Sequence, residues 1–416
     1  MFAKSKTVFR GFRYQDCDDF AAYLNHMARR GWHFREWKAG LVFEQGPPEE
    51  SRYAVEIFTD GSEYDTRPEP KTQEFAAYCE AAGWQLVDAK KKFVIFKAIR
   101  ENPLPIMTDR ERLDSVARSI RKEIFYHVIL AAVWVAMRIG DYATAFERYI
   151  FSDFHLLITV FWFLLLLSAL VRCGGFFLWK FRCKKLLEEG KLLFFGKGRN
   201  GLKQNWFQIF SGIMLVVILT AAVFQGDTAM AVFSGVYLGA LLLMGLLIAV
   251  FRPDAVTNQI IQVVFNVLLV LVMMVVLVAA LLGNEPAILH TPSLTYEDFG
   301  VEIPTEDIRS SELEEGILGT WEYANLDCGN DFLYYHLYTT EHSWILQEIW
   351  ERETDGKVNE TRTDCTTLWG AREAFRNNAG NYLIRYDDRI WVICPSLETP
   401  LTQEQISRII ETLEGN

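Results

Sequence analysis

The chain has 416 residues, half of them hydrophobic, and a formal net charge of −11 that is unevenly distributed. Residues 284–416 contain 26 acidic and 9 basic side chains, whereas the preceding part is net positive. An acidic segment of this kind repels anionic lipid headgroups and suits an aqueous exterior. Long apolar stretches in the middle of the chain exclude a purely soluble protein.

The first 100 residues contain an internal repeat. The motif Asp19-Phe-Ala-Ala-Tyr23 recurs as Glu74-Phe-Ala-Ala-Tyr78, and a Gly-Trp pair follows each copy, at Gly31-Trp32 and Gly83-Trp84. Strand-like runs precede each helical motif and follow each tryptophan, so each copy predicts the order strand–helix–strand–strand. We therefore predict that residues 1–100 form a duplicated βαββ module with one twisted antiparallel sheet and both helices on one face.

Aromatic residues of this module are candidates for a ligand-binding groove between the repeats. The predicted topology resembles the paired modules of gyrase-inhibitor-like small-molecule-binding domains. The alternative is that the same rings fill the core, which is common in small sheets. The ligand-binding candidates are Trp32, Trp37, Tyr53 and Trp84.

Several patterned motifs in residues 5–120 resemble the bacterial family called domain of unknown function 2812. They are Phe9-Arg-Gly-Phe12, Tyr23 with Met27 and Gly31-Trp32, the strand Tyr53–Phe58, Gly83-Trp84, and Pro103-Leu-Pro105. The resemblance implies a domain that precedes membrane spans. It also implies a signalling or envelope-stress role, with a cytoplasmic regulatory protein as partner, because members are often encoded beside a PadR-type regulator. The family offers no catalytic residues to carry over.

Residues 101–123 are predicted to be a linker and a juxtamembrane helix. Pro103 and Pro105 interrupt the chain, and Thr108 with Glu111 forms a capping box that starts the helix. Residues 124–283 then contain five apolar stretches that reach or approach the roughly 18–20 residues needed to cross a hydrocarbon core. These are Ile124–Tyr142, Phe154–Val171, Trp206–Phe224, Ala231–Phe251 and Ile260–Leu282. The predicted fold class is therefore α+β modules joined to a bundle of five transmembrane helices.

The distribution of basic residues predicts the orientation in the membrane. Bases are concentrated before the first stretch and in the loop 172–205, whereas Arg252 is the sole base between the fourth and fifth stretches. Lys and Arg are retained on the cytoplasmic side, so we predict a multi-pass protein of the cell membrane, with a cytoplasmic N-terminus and an extracytoplasmic C-terminus.

The loop 172–205 interleaves aromatic and basic side chains, as expected at an anionic lipid surface. The predicted lipid-interface residues are Trp179, Lys180, Arg182, Lys184 and Lys185. Beside a membrane this pattern favours lipid, so we expect no nucleic-acid partner.

Residues 284–315 are rich in Pro, Thr and acids and predict a solvated acidic spacer. Residues 316–416 predict an extracytoplasmic, antiparallel α+β domain. Its predicted strands include Trp344–Trp350 and a hairpin of Asn381–Tyr386 with Arg389–Cys394, and Thr402 with Gln405 caps a final amphipathic helix.

The cysteines and the missing catalytic motifs limit the chemistry. The three exterior cysteines allow at most one internal disulfide, for which the polar contexts of Cys328 and Cys365 are favourable, or they are all unpaired. The sequence has no G-x-S-x-G, H-E-x-x-H or P-loop motif, and no C-x-x-C pair. We therefore expect no enzyme activity, no metal and no cofactor.

Together these features predict a bacterial integral membrane protein with a sensing or signal-relay role. Its cytoplasmic module would bind a small molecule or regulatory protein and be coupled to an exterior domain with its own ligand. The alternative is a transporter or transporter accessory, but coupled transporters use ionisable residues at membrane depth, and the apolar stretches contain few.

Overall fold

The computed structural model of the protein describes residues 4–196, 228–282, 290–300, 307–327, 332–354, 361–396 and 399–415. The chain divides into two compact units. The first contains Met1–Trp134 and Phe161–Val278, and the second contains Val135–Val160 and Ala279–Asn416.

The first unit contains the strand–helix–strand–strand order twice within its N-terminal 100 residues. The first copy is β1 (Ser5–Val8), α1 (Cys17–Arg29), β2 (Trp32–Trp37) and β3 (Leu41–Gln45), and the second is β4 (Tyr53–Ile57), α2 (Pro70–Ala81), β5 (Trp84–Lys90) and β6 (Phe93–Ala98). In the described residues each copy has its own three-stranded antiparallel sheet, in the orders β1-β3-β2 and β4-β6-β5. The prediction of one shared sheet is wrong, since among the described residues no edge strand of one sheet pairs with an edge strand of the other.

The two Gly-Trp pairs occupy equivalent positions. Gly31 and Gly83 follow their helices with φ of 75° and 96°, a left-handed conformation that glycine adopts without steric cost. Trp32 then opens β2 opposite Gln45, and Trp84 opens β5 opposite Ala98.

A β-bulge recurs at the same place in both copies. The register of β2 against β3 shifts between Phe34 and Glu36, and that of β5 against β6 shifts between Leu86 and Asp88. A bulge re-aims the side chains that follow it. Glu36 and Asp88, each four residues after its tryptophan, are therefore equivalent carboxylates of the two repeats.

Long helices follow the module. They are α3 (Asp109–Thr144), the short α4 (Phe146–Ile150), α5 (Asp153–Glu188), α6 (Thr228–Phe251) and α7 (Ala255–Leu282). The predicted capping box at the start of α3 is present, since the Glu111 side chain accepts from the Thr108 N–H at 2.8 Å. The 36 residues of α3 form one continuous helix, about 54 Å long at 1.5 Å per residue.

The prediction of five membrane-spanning helices is wrong. Among the described residues two helices, α3 and α5, are long and apolar enough to cross a membrane. The predicted third span, Trp206–Phe224, lies outside the described residues. The predicted fourth and fifth spans overlap α6 and α7, where the apolar stretches among the described residues are Gly239–Phe251 and Ala255–Leu268.

The second unit contains a large antiparallel sheet. Its elements are β7 (Asp307–Gly316), β8 (Gly319–Asp327), β9 (Phe332–Thr339), α8 (Ser343–Thr354), β10 (Thr363–Asp364), α9 (Thr366–Trp369), β11 (Glu373–Arg376), β12 (Tyr382–Arg385), β13 (Arg389–Pro395) and α10 (Gln403–Gly415). In the described part of the chain the seven strands follow the order β10-β11-β12-β13-β9-β8-β7. The predicted hairpin is β12 with β13, and the capping box of Thr402 with Gln405 starts α10.

Hydrophobic clusters cover both faces of this sheet. One contains Ile406 and Ile409 of α10. The other contains Ile345 and Ile349 of α8, together with Phe151 from the segment that joins α4 to α5. A sheet that is buried on both faces needs such a layer on each side.

Two predictions in the second unit need correction. Residues Trp344–Trp350 lie in helix α8, because Ile345, Leu346, Ile349 and Trp350 are buried along one helical stripe. The predicted acidic spacer contains strand β7 and the buried residues Leu294, Tyr296 and Phe299. The composition of the segment did not predict the strand or the buried residues. Few apolar residues are sufficient for a segment to pack where a sheet edge and a core are already present.

Candidate functional site

A large basic cleft lies in the first unit, between the N-terminal module and the adjoining parts of α3 and α5. Its volume is about 1290 Å³. Its described lining contains seven Lys or Arg side chains and two Glu side chains: Arg13, Lys90, Lys91, Lys92, Lys122, Arg172, Arg182, Glu63 and Glu123. Aromatic rings form much of the remaining wall, namely Phe12, Tyr14, Trp37, Tyr64, Phe93, Tyr126, Phe176 and Trp179. We call this site the basic cleft.

The turn between β5 and β6 brings three consecutive lysines to the basic cleft. Lys91 has a φ of 55°, as tight hairpin turns require, and its N–H donates to the Asp65 carbonyl at 2.6 Å. Lys90 donates to the carbonyl of Lys38, and burial lowers the pKa of Lys90 to about 8. The turn is therefore fixed in place by backbone contacts on both sides.

The two acids of the basic cleft are already paired. Glu63 lies 3.6 Å from Lys92 and accepts a hydrogen bond from the Tyr14 hydroxyl at 2.8 Å. Glu123 accepts from Arg172 at 3.0 Å. Among the described lining residues, Lys91, Lys122 and Arg182 form no ion pair. Their positive charge favours an anionic ligand in the cleft.

An apolar groove continues from the basic cleft between α3 and α5. Its volume is about 280 Å³. The groove is lined by Ile124, His127, Leu130, Ala131, Trp162, Leu165, Ala169 and Arg172. Three of these residues, Ile124, His127 and Arg172, also line the basic cleft. The two cavities therefore adjoin and together offer a charged end and an apolar end.

A second feature of the same unit is an ion network around Arg252, between α6 and α7. Its guanidinium donates to Asp88 at 2.8 Å and lies 3.3 Å from Glu36. Its Nε donates to the Thr66 carbonyl at 2.7 Å. Arg252 has a φ of 46°, a strained conformation for a residue other than glycine. We call Arg252, Glu36, Asp88 and Thr66 the Arg252 clamp.

The Arg252 clamp joins both repeats to the α6–α7 connection. Glu36 and Asp88 are the equivalent carboxylates that follow the two bulges, so one arginine is held by both halves of the module. The Asp88 side chain is 4 % exposed. Burial raises its pKa, while the hydrogen bond and charge of Arg252 lower it. Next to the clamp, the Ala255 N–H donates to Glu69 at 3.0 Å, which also fixes the start of α7.

The Arg252 clamp adjoins the wall of the basic cleft. Trp37 and Lys90 line the cleft, and they follow the clamp acids Glu36 and Asp88 on strands β2 and β5. The Trp37 N–H donates directly to the Asp88 carboxylate at 2.6 Å. A displacement of this wall therefore acts on the groups that hold Arg252.

A further ion network attaches α3 to the module. Arg112 donates to Asp18 of α1 at 2.7 Å and to Glu56 of β4 at 3.0 Å. Asp18 also accepts from the Phe195 N–H at 2.7 Å. Burial raises the pKa of Glu56 to about 7, although the charge of Arg112 opposes this shift. The start of α3 is thus bound to both a helix and a strand of the module.

The predicted ligand-binding residues are only partly brought together. Trp37 lines the basic cleft. Trp84 is 4 % exposed, and its indole N–H donates to the Leu104 carbonyl at 2.7 Å. Tyr53 is buried in the core, and Trp32 lies at the edge of that core beneath the Lys6 ammonium. Burial of Tyr53 and Trp84 is compatible with the alternative of core filling, and a role of the four residues in ligand binding stays a prediction.

The predicted lipid-interface residues also divide. Trp179 and Arg182 line the basic cleft. Lys180, Lys184 and Lys185 lie on α5 outside that lining, and Lys184 and Lys185 are exposed. Their contact with lipid stays a prediction.

The disulfide predicted between Cys328 and Cys365 stays a prediction. Cys328 lies outside the described residues. Cys365 is buried, and this burial raises the pKa of its thiol to about 11.

Sequence reasoning missed the Arg252 clamp. In the sequence, Arg252 indicates only the orientation of the chain in the membrane, and no local pattern connects it with the two acids. The signal was nevertheless present, since the repeat places an acid four residues after each Gly-Trp tryptophan, at Glu36 and Asp88.

Comparison with known proteins identifies the N-terminal part of the chain. Residues 16–129 match the sequence model of the family described as Protein of unknown function (DUF2812). This match confirms the resemblance over the N-terminal segment. No curated protein and no solved structure matches the chain.

Proposed function

We propose that this protein is a membrane-anchored sensing and relay protein in which occupancy of the basic cleft is transmitted through the Arg252 clamp to helices α6 and α7. The observation that carries the proposal is the adjacency of cleft and clamp. Trp37 and Lys90 line the cleft, and Glu36, one residue before Trp37, and Asp88, two residues before Lys90, hold Arg252. The N-terminal module would face the cytoplasm and the C-terminal domain the exterior.

The exposure of α3 and α5 supports a membrane location. In the most apolar 18-residue window of each helix, 17 % and 11 % of the residues are buried. A core helix of a globular domain would be mostly buried, whereas these helices expose large side chains such as Phe125, Val133, Leu167 and Val171. Contiguous apolar surface of this size marks an interaction surface, and lipid is the partner that suits two such helices.

The contacts also support a relay mechanism. A ligand that displaces Trp37 moves the N–H that donates to Asp88, and a ligand that attracts Lys90 removes a charge close to Arg252. Either change alters the energy of holding Arg252 in its strained conformation. A ligand that binds the two arrangements unequally then shifts the population between them. No bond chemistry is required.

Release of Arg252 in the full-length protein tests the proposal. Arg252→Gln and the matched control Arg67→Gln, an exposed arginine near the same contact, would be compared in lipid nanodiscs by hydrogen exchange. We expect Arg252→Gln to accelerate exchange around Trp37 on the cleft wall and around Ala255 at the start of α7. Acceleration around Trp37 with unchanged exchange around Ala255 would contradict the relay.

A further inference from the structure

We propose that the basic cleft and the apolar groove together bind one anionic phospholipid, with its phosphate in the cleft and an acyl chain in the groove. This inference rests on the proposed function and names the chemical class of its ligand. It depends on the continuity of the two cavities, which share Ile124, His127 and Arg172.

The charged end fits a lipid phosphate. Among the described lining residues, Lys91, Lys122 and Arg182 form no ion pair and lie exposed at the cleft. Lys and Arg bind phosphate by charge-assisted hydrogen bonds. Trp179 stacks near Phe176 with ring centroids 6.1 Å apart, and such rings are characteristic of the headgroup level of a bilayer. The excess positive charge disfavours a ligand whose headgroup carries an exposed cation.

The apolar end fits an acyl chain. Apart from His127 and Arg172 at its junction with the cleft, the groove lining consists of Ile124, Leu130, Ala131, Trp162, Leu165 and Ala169. Trp162 stacks on Trp134 at 4.6 Å and joins the two helices at this level. A hydrocarbon chain in this groove removes apolar surface from water or replaces bulk lipid without loss of a polar contact.

The junction between the two ends is itself polar and ordered. Arg172 donates to the Glu123 carboxylate at 3.0 Å, and His127 Nδ1 donates to the backbone carbonyl of Glu123 at 2.7 Å. This position corresponds to the point where a phospholipid changes from charged to apolar. A soluble phosphate compound would occupy only the cleft and leave the groove unused, so the paired cavities favour the lipid.

Lipid retention by the full-length protein tests this inference. The purified protein would be equilibrated with mixed phosphatidylglycerol and phosphatidylcholine, and bound lipid would be measured by native mass spectrometry. We expect selective retention of one phosphatidylglycerol. Removing two cleft charges by Lys122→Gln with Arg182→Gln should weaken retention by about ten- to thirtyfold. The matched control, Arg118→Gln with Arg121→Gln, removes two exposed charges from α3 outside the lining and should have little effect.

A second pair of variants tests the groove. Ala169→Phe fills the groove and should weaken retention by about tenfold or more, whereas Ala132→Phe adds the same ring to an exposed position of α3 outside the lining. An equal loss of lipid retention in a variant and in its control would overturn the inference. It would also be overturned if excess inorganic phosphate displaced the lipid and Ala169→Phe had no effect on retention. If retention behaves as expected but Arg252→Gln leaves exchange around Ala255 unchanged, the relay fails and the lipid site stands.

Discussion

Replacement of Arg252 by methionine gives the sharpest test of the clamp. Methionine retains much of the side-chain length but removes all donors. The Asp88 carboxylate would remain buried without its charged partner, and the Thr66 carbonyl would lose a donor at 2.7 Å. Glu36 would be less affected, because it is partly exposed and keeps an ion pair with Lys38 at 3.0 Å.

The expected magnitude follows from burial. Breaking a buried ion pair costs about 3–5 kcal/mol when one charge is left unpaired. Asp88 retains the hydrogen bond from the Trp37 N–H at 2.6 Å, and it can take up a proton, since burial already raises its pKa. We therefore expect a local loss of about 2–3 kcal/mol.

The assay is site-resolved hydrogen exchange of the full-length protein. A loss of 2–3 kcal/mol corresponds to an increase of about 30- to 150-fold in exchange at the Trp37 and Ala255 amides. Arg67→Met is the control and should change these rates little.

A double-mutant cycle with Asp88→Asn isolates the ion pair. In the Asp88→Asn background, Arg252→Met should cost about 1–2 kcal/mol less than in the wild type, because the charge to be compensated is already gone. Strictly additive effects of the two substitutions would refute the reasoning.

Three further predictions concern the module, the second unit and the orientation. Burial raises the pKa of Glu56 from its ordinary 4.5 to about 7. The folded protein therefore binds this proton more tightly than the unfolded chain does. The stability that this group contributes falls as the pH rises from about 4.5 to 7. Glu56→Gln should flatten that part of the pH profile of thermal unfolding, and an unchanged slope would contradict the assignment. Two fragments, 290–416 and 316–416, both lack Phe151, and we expect the longer one to melt at the higher temperature by circular dichroism. The shorter fragment also lacks almost all of β7 and three buried side chains, each worth about 2–5 kcal/mol. Equal melting of both would show that these contacts are dispensable. Reporter fusions at Met1 and Asn416 should report opposite sides of the membrane, and the same compartment for both would exclude the proposed orientation.

Local signals in the sequence were sufficient for the repeat and for several helix ends. Gly31 and Gly83 need a left-handed backbone, and the tryptophan after each opens a strand, so short-range chemistry specifies both turns. The capping boxes at Thr108 and Thr402 are likewise complete within four residues. These features depend on residues that are neighbours along the chain, so the sequence alone is sufficient to predict them.

Features that depend on distant partners were decided only by the tertiary structure. The strand predicted at Trp344–Trp350 is a helix because its apolar stripe packs on the sheet, and the predicted spacer supplies strand β7 because β8 offers an edge. The five-span prediction is also wrong, since among the described residues two helices, α3 and α5, are long and apolar enough to cross a membrane.

The candidate site shows the same division. The sequence determined the repeated acid after each bulge and the excess of bases near α3 and α5. Only the folded chain brings Arg252 to Glu36 and Asp88, which precede it by 216 and 164 residues. It likewise separates Trp37 in the cleft from Trp84 in the core. Such contacts depend on which surfaces pack together, and no local pattern contains that information.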